Sequence, residues 1–192
     1  MRVIAGDFKG RRLTAPKGTD IRPTSDRVKE AIFSMVQADA EHAVCLDLFA
    51  GTGALGIEAL SRGAKLVYFC DNSPAALEAL RENLDACGLS GARAIVFKTD
   101  LQSALRKSGG RLPPLQEKCN LVFIDAPYEM CEYYSQILIA LATEEKLEEG
   151  ARIIIERDAG KGGYTLPDGF IKIREKRYGS IGVDLLIYGE DK

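Results

Sequence analysis

Two spacings of apolar residues alternate along this chain. Val28, Ala31, Ile32, Met35 and Val36 recur at i, i+3, i+4, i+7 and i+8, which predicts an amphipathic helix over "DRVKEAIFSMV". Ser25 and Asp26 are its candidate caps. From residue 44 onward, short apolar runs take turns with helical stretches. "VCLDLF", "KLVYFCD", "ARAIVFKTD", "CNLVFID" and "ARIIIER" predict strands. "ALGIEALSRG", "SPAALEALRENLDACG", "LQSALRK" and "YYSQILIALAT" predict the helices between them. Gly63 closes the first of these; Ser73 at N-cap, Pro74 at N1 and Gly88 past the end bound the second. "FIKIREKRYG" and "IGVDLLIYG" predict two further strands, tightly joined. At the other end, "RVIAG" and "RRLTA" flank "DFKG" as a small hairpin, and "PKGTDIRPTSD" is a loop.

Strands alternating with helices predict an α/β fold: a mostly parallel sheet with helices on both faces. The closing hairpin makes the last strand antiparallel. The chain divides into a hairpin and arm over 1–25 and a main domain over 26–192. In such sheets, ligands bind beyond the carboxyl ends of the strands. The polar residues at those ends are the ones to question.

Composition narrows the setting. The 192 residues are 46% hydrophobic and 28% charged, an ordinary globular mixture. No apolar run approaches the roughly 18 residues of a membrane span, and "MRVIAGDFKGRRL" lacks a signal peptide's apolar core. A cytoplasmic protein is expected. Five cysteines form no C-x-x-C pair, which speaks against a disulfide framework or a zinc knuckle. His42 is the sole histidine and stands in a polar segment, where a surface position is expected. No metal is implied. The net charge of −2 hides an asymmetry: residues 1–29 carry eight basic groups against three aspartates, and the rest is acidic overall. A basic arm on an acidic body suits a polyanion, although charge clusters are also common on plain solvated faces.

The first strand runs into "LDLFAGTGALG". Gly51, Gly53 and Gly56 make G-x-G-x-x-G between a strand and a helix, a loop that lets a ligand approach backbone N–H groups. Asp47 lies four residues before Gly51. An acid there suits a ligand carrying an ammonium beside a carboxylate, as the methionine end of S-adenosylmethionine does. Asp71 ends the second strand and can accept from ribose hydroxyls, which NAD would need equally. Asp100 ends the third strand. It could accept from an adenine amine with the Leu101 N–H on a ring nitrogen, or simply cap a helix. The fourth strand ends in "DAPY". Pro127 holds Ala126 out of the α region, aiming its carbonyl beside the Asp125 carboxylate, and Tyr128 offers a flat face. Two acceptors and a ring suit a planar group bearing an NH₂. Stacking of that kind contributes about 1–3 kcal/mol per base in single-strand binders.

"DLFAGTGALGIEALSRGA" and "DAPY" resemble the glycine loop and the D/N-P-P-Y motif of class I amino-methyltransferases. "MRVIAGDFKGRRL" with "RPTSDRVKEAIFSMV" is more particular. Together with "KRYGSIGVDLLIY" they resemble the bacterial 16S rRNA guanine-N2 methyltransferases of the RsmD type, from Met1 to about Gly189. That resemblance implies a seven-stranded Rossmann-like fold with a small N-terminal hairpin. It implies methylation of one guanine, at position 966, in the small ribosomal subunit, by a monomer using S-adenosylmethionine. It places Gly51, Thr52, Gly53 and Asn72 on the cofactor, with Asp71 at the ribose and Asp100 near the adenine. Asp125, Ala126, Pro127 and Tyr128 would hold the guanine. Arg22, Thr24, Asp26 and Arg27 match the family's "RPT-x-DR" string at the site mouth. With Arg2, Lys9, Arg11 and Arg12, the residues Arg22, Thr24 and Arg27 form the expected RNA surface. Ala126 stands where the family usually has a proline. Adenine-N6 and glutamine-amide methyltransferases share the D/N-P-P-Y motif, because their targets also present a planar NH₂.

Overall fold

The computed structural model describes residues 1–16, 25–89, 91–106, 111–127, 133–161 and 163–190. Helix α1 (Asp26–Met35) begins at Ser25, whose hydroxyl accepts from the Val28 N–H at 3.3 Å. The chain then alternates as expected: β1 (Val44–Leu48), α2 (Ala54–Ser61), β2 (Leu66–Asp71), α3 (Pro74–Ala86), β3 (Ala94–Lys98), α4 (Leu101–Arg106), β4 (Cys119–Ile124) and α5 (Tyr134–Thr143). Three strands complete it: β5 (Leu147–Asp158), β6 (Phe170–Tyr178) and β7 (Ile181–Tyr188). Ser73 caps α3 and Pro74 opens it, as their positions predict.

The seven strands lie in the order β3-β2-β1-β4-β5-β7-β6. All neighbours are parallel except β7, which runs antiparallel to both β5 and β6. This is the Rossmann-like, seven-stranded arrangement. The chain winds outward from β1 to β3, then returns to place β4 on the other side of β1. The strand order therefore reverses between β1 and β4, and a crevice opens at their carboxyl ends. β1 is buried at every residue, because helices cover both faces of a central parallel strand.

Two cores flank the sheet. One joins α1, α2 and α3 to Cys45, Val67, Phe69, Phe123 and Ile154. The other joins α4 and α5 to Leu46, Tyr68, Val122, Ile124 and Ile155. The N-terminal segment belongs to the first core through Val3 and Leu13. Its expected hairpin is reduced to one antiparallel bridge, Arg2 to Arg12, tightened by Val3–Arg11 and Leu13–Met1 backbone hydrogen bonds. β5 is longer than "ARIIIER" suggests. It starts at Leu147, and the β4 pairing shifts register between Cys119 and Leu121. Among the described residues, no helix is long and apolar enough to cross a membrane.

Candidate active site

The crevice is built where parallel strands β1, β2 and β4 end together. Leu48 pairs with Cys70 on one side and Ile124 on the other. The loop after β1 and the loop after β4 are therefore adjacent, about 4.8 Å apart at the last strand residues. The fold thus places Gly51–Gly53 directly beside Asp125–Pro127.

The glycines do different jobs. Gly53 has φ 79 and caps α2 without any side-chain hydrogen bond; a Cβ there would also lie 2.4 Å from Leu80. Gly56 has ordinary helical backbone but faces Phe69, whose ring would be 2.3 Å from an added Cβ. One glycine makes the turn, and the other lets α2 lie close on the sheet.

Asp71 holds this loop. Its Oδ2 accepts from the Gly51 N–H at 2.8 Å, and its Oδ1 from the Ser73 N–H at 2.9 Å. A carboxylate has lone pairs to spare after two such bonds, so accepting from a ribose remains open to it. Asn72 beside it is exposed. Asp47 is 1% exposed, and its Oδ2 accepts from the Gly56 N–H at 3.0 Å. Burial pushes its carboxyl up to about 8; the negative charges of Asp125 and Asp71 push the same way, against the pull of the Gly56 N–H. Among the described residues, neither Asp47 nor Asp71 has an ion-pair partner. Such an acid favours a ligand that brings its own positive charge, and an amino-acid ammonium answers that need.

Asp125 is half-buried, Ala126 is 2% exposed and Pro127 faces solvent. Tyr128 lies outside the described residues, as do Arg22 and Thr24. Thr52 is buried, and its hydroxyl donates to the Met1 sulfur at 3.9 Å. Asp100 acts as a helix cap: its Oδ1 accepts from the Ser103 N–H at 3.0 Å and its Oδ2 from the Ser103 hydroxyl at 2.6 Å. Leu101 is buried in the second core. Lys9, Arg11, Arg12 and Arg27 are exposed, and Arg2 reaches Asp26 at 3.0 Å. His42 is exposed as well. No group of three metal-ligating side chains gathers among the described residues.

Similarity to known proteins runs over nearly the whole chain. The family model described as "Conserved hypothetical protein 95" matches residues 1–187. The Haemophilus influenzae ribosomal RNA small subunit methyltransferase D is 32% identical over 96% of this chain and 92% of its own. Its Escherichia coli (strain K12) namesake is 32% identical over 96% and 88%. The chain belongs to the RsmD-type methyltransferase family. Solved structures carry the same fold: Escherichia coli yhhF aligns with TM-score 0.82 at 32% identity, over 98% of each chain. Haemophilus influenzae HI0767 aligns with TM-score 0.79 at 30% identity, over 99% of each chain.

Within this RsmD-type frame, the structure adds residues that sequence reading passed over. Phe49 follows β1 with φ 64, a left-handed backbone that a bulky residue adopts rarely and under strain. It stands between β1 and the glycine loop, with its side chain packed against the second core. Glu58 is fully buried on α2 and gathers four donors: the Ile4 and Ala5 N–H groups at 2.8 and 3.0 Å, Arg62 Nε at 2.9 Å and Lys29 Nζ at 3.2 Å. Lys29 also donates to the Arg2 carbonyl at 2.5 Å. Lys29 had counted toward the basic arm, yet it is fully buried and offers nothing to a polyanion. Burial pushes its ammonium down while Glu58 pulls it back up. Asn83 is 1% exposed. It accepts from the Thr14 N–H at 2.7 Å and donates to the carbonyls of Thr14 and Thr52 at 3.0 and 2.9 Å. Asn83 thus ties the arm directly to the glycine loop. All three side chains interrupt apolar helix faces. A buried polar group needs a partner, and that interruption was the available signal.

Proposed function

We propose that this chain transfers the methyl group of S-adenosylmethionine to the exocyclic N2 of a guanine in 16S rRNA, at position 966, within the small ribosomal subunit. The observation that carries the reading is the adjacency of the glycine loop and the Asp125–Pro127 turn at the β1/β4 crevice, in a chain of the RsmD-type family. The bound cofactor would supply an electrophilic methyl group on a sulfonium sulfur, leaving as S-adenosylhomocysteine.

The chain's own residues position and accept. Asp47 would meet the ammonium, Asp71 the ribose, and Leu101 N–H with Asp100 the adenine. The Asp125 carboxylate and the Ala126 carbonyl would each accept one N2 hydrogen. Holding both directs the nitrogen lone pair out of the guanine plane, toward the glycine-loop side. As the new C–N bond forms, N2 becomes acidic and its proton passes to Asp125 or to water. Pro127 restricts Ala126 to extended backbone, so the lone alanine in place of a proline keeps the carbonyl aimed. Proximity and orientation supply most of the acceleration.

Incubation with labelled S-adenosylmethionine and unmodified small subunits, or naked 16S rRNA, tests the proposal. Digestion should return N2-methylguanosine at one nucleotide. N6-methyladenosine would instead assign the chain to the adenine class, and label on protein glutamine to the amide class. Either result ends the guanine reading.

A further inference from the structure

We propose that the β6–β7 hairpin tip is a second phosphate-contact surface, on the flank of the crevice opposite the N-terminal arm. The inference rests on the RNA substrate proposed above.

Strand registers place the tip. Ile124 pairs with Ile155, Ile155 with Asp184, and Asp184 with Glu175. One rung further toward the carboxyl ends come Asp125, Glu156, Val183 and Lys176, then Arg157, Gly182 and Arg177. Lys176 and Arg177 are therefore level with the substrate turn. Three strand steps, β4 to β5 to β7 to β6, put them about 14 Å to its side. The arm lies on the other side, anchored to α2 by Glu58 and to α3 by Asn83.

Charge at the tip is sorted. β6 carries Lys172, Arg174, Lys176 and Arg177 against one acid, Glu175. The acids there are already matched. Arg157 bonds Asp184 at 2.9 Å and Glu175 at 2.6 Å, while Lys172 lies 3.1 and 3.2 Å from the same two. Tyr164 also donates to Asp184 at 3.1 Å. No carboxylate among the described residues pairs with Arg174 or Lys176. Arg177 is held at the turn by a 2.9 Å hydrogen bond to the Gly179 carbonyl. Positive charge is thus surplus at the catalytic end of the strand.

Edge strands often carry lysine merely to prevent sheet-to-sheet pairing. That explanation would put charge where the edge is most apolar. Here the exposed Ile171 and Ile173, at 49% and 40%, flank Lys172, whose ammonium is turned onto Glu175 and Asp184, and the unmatched cations gather nearer the crevice. An RNA strand delivering one base to the Asp125–Pro127 turn must leave it on both sides. The arm serves one side and the hairpin tip the other.

The test uses Arg174→Ala with Lys176→Ala, Arg174→Glu alone, and Arg11→Ala with Arg12→Ala for reference. Affinity for transcribed 16S rRNA is measured between 50 and 200 mM salt, with S-adenosylhomocysteine affinity and thermal unfolding as controls. Losing two phosphate contacts should flatten the log–log salt slope by about 1.4–1.8. Across that fourfold salt range, the double variant should lose about tenfold less affinity than the unsubstituted protein. Arg174→Glu should weaken binding further, with cofactor affinity and melting unchanged. Unaltered RNA affinity and slope in both hairpin variants, with the arm variant impaired, would overturn this surface while leaving the RNA reading intact. Self-association of the double variant with unaltered RNA binding would show that the cations only guard the edge, and also overturns it. Salt-insensitive, weak RNA binding by the unsubstituted protein would remove the RNA reading and this surface with it.

Discussion

Two buried acids, one on α2 and one on the strand beneath its first turn, behave as opposites. Glu58, on α2, accepts from two backbone N–H groups and two cationic side chains. Asp47, on β1 against the first turn of that helix, accepts from one N–H and faces two other carboxylates. The first site is closed: its charge is matched inside the protein, and the match fastens the arm to α2. The second site is open in charge. Its carboxyl is held protonated near neutrality by burial and by Asp125 and Asp71. Saturated polar groups hold structure, whereas an acid crowded by like charge is suited to binding a cation.

The closed site should break hardest. Glu58→Ala leaves the Lys29 ammonium and two arm N–H groups without their acceptor. Removing one partner of a buried pair costs about 3–5 kcal/mol, and denaturant unfolding should show a loss of that size. A loss under about 1 kcal/mol would mean the arm detaches freely and Lys29 reaches water. Asn83→Ala should cost less, about 1–3 kcal/mol, for the buried N–H and carbonyl groups it strands. Because Asn83 bonds both Thr14 and the Thr52 carbonyl, it should also weaken S-adenosylhomocysteine binding. An unchanged cofactor affinity would separate the arm from the glycine loop.

At the open site, the expected sign is different. Asp47 has a folded value near 8 against an ordinary 3.8. Between those values the native state holds a proton that the unfolded chain has released. Stability therefore falls as pH rises through that window and is fully reduced above about 8. Asn presents the same acceptor to the Gly56 N–H without the charge. Asp47→Asn should leave stability within about 1 kcal/mol of the parent only below about pH 4, where Asp47 is protonated in both the folded and the unfolded chain. It should melt progressively higher than the parent as pH rises from about 4 to about 8, with no further divergence above that, and it should bind S-adenosylhomocysteine more weakly. Equal melting curves across that pH range would show that Asp47 is not held protonated.

The difference between these sites also explains what could be read from sequence. Strand-end acids follow from local pattern: an apolar run stops, and Asp71 or Asp125 stands at its edge. The glycine loop and the Ser73–Pro74 helix start are likewise local, and they appear where their spacing predicts. The partners of Glu58 lie 29 to 54 residues away in sequence for Lys29, Ile4 and Ala5, and no local period encodes such pairings. Only the misfit showed, a polar residue on an apolar face. The extension of β5 back to Leu147 was hidden for another reason. Glu148, Glu149 and a left-handed Gly150 break the apolar run that marks "ARIIIER" as a strand.

The smallest effect should come from the exposed ion pair on the same arm. Arg2 and Asp26 meet at 3.0 Å, but their side chains are 64% and 43% exposed. They join the same arm to the same helix α1 as Lys29 does, at the solvent-exposed surface rather than in the protein interior. Exposed pairs contribute about 0–1 kcal/mol and fade with salt. A double-mutant cycle with Arg2→Ala and Asp26→Ala should therefore give a coupling below about 1 kcal/mol, vanishing at high ionic strength. Arg2→Ala should still reduce 16S rRNA affinity, because its guanidinium faces the solvent where a phosphate could replace Asp26. A coupling comparable to that of Lys29 and Glu58 would show that burial is not what distinguishes the two pairs, and that the arm is fastened along its whole length.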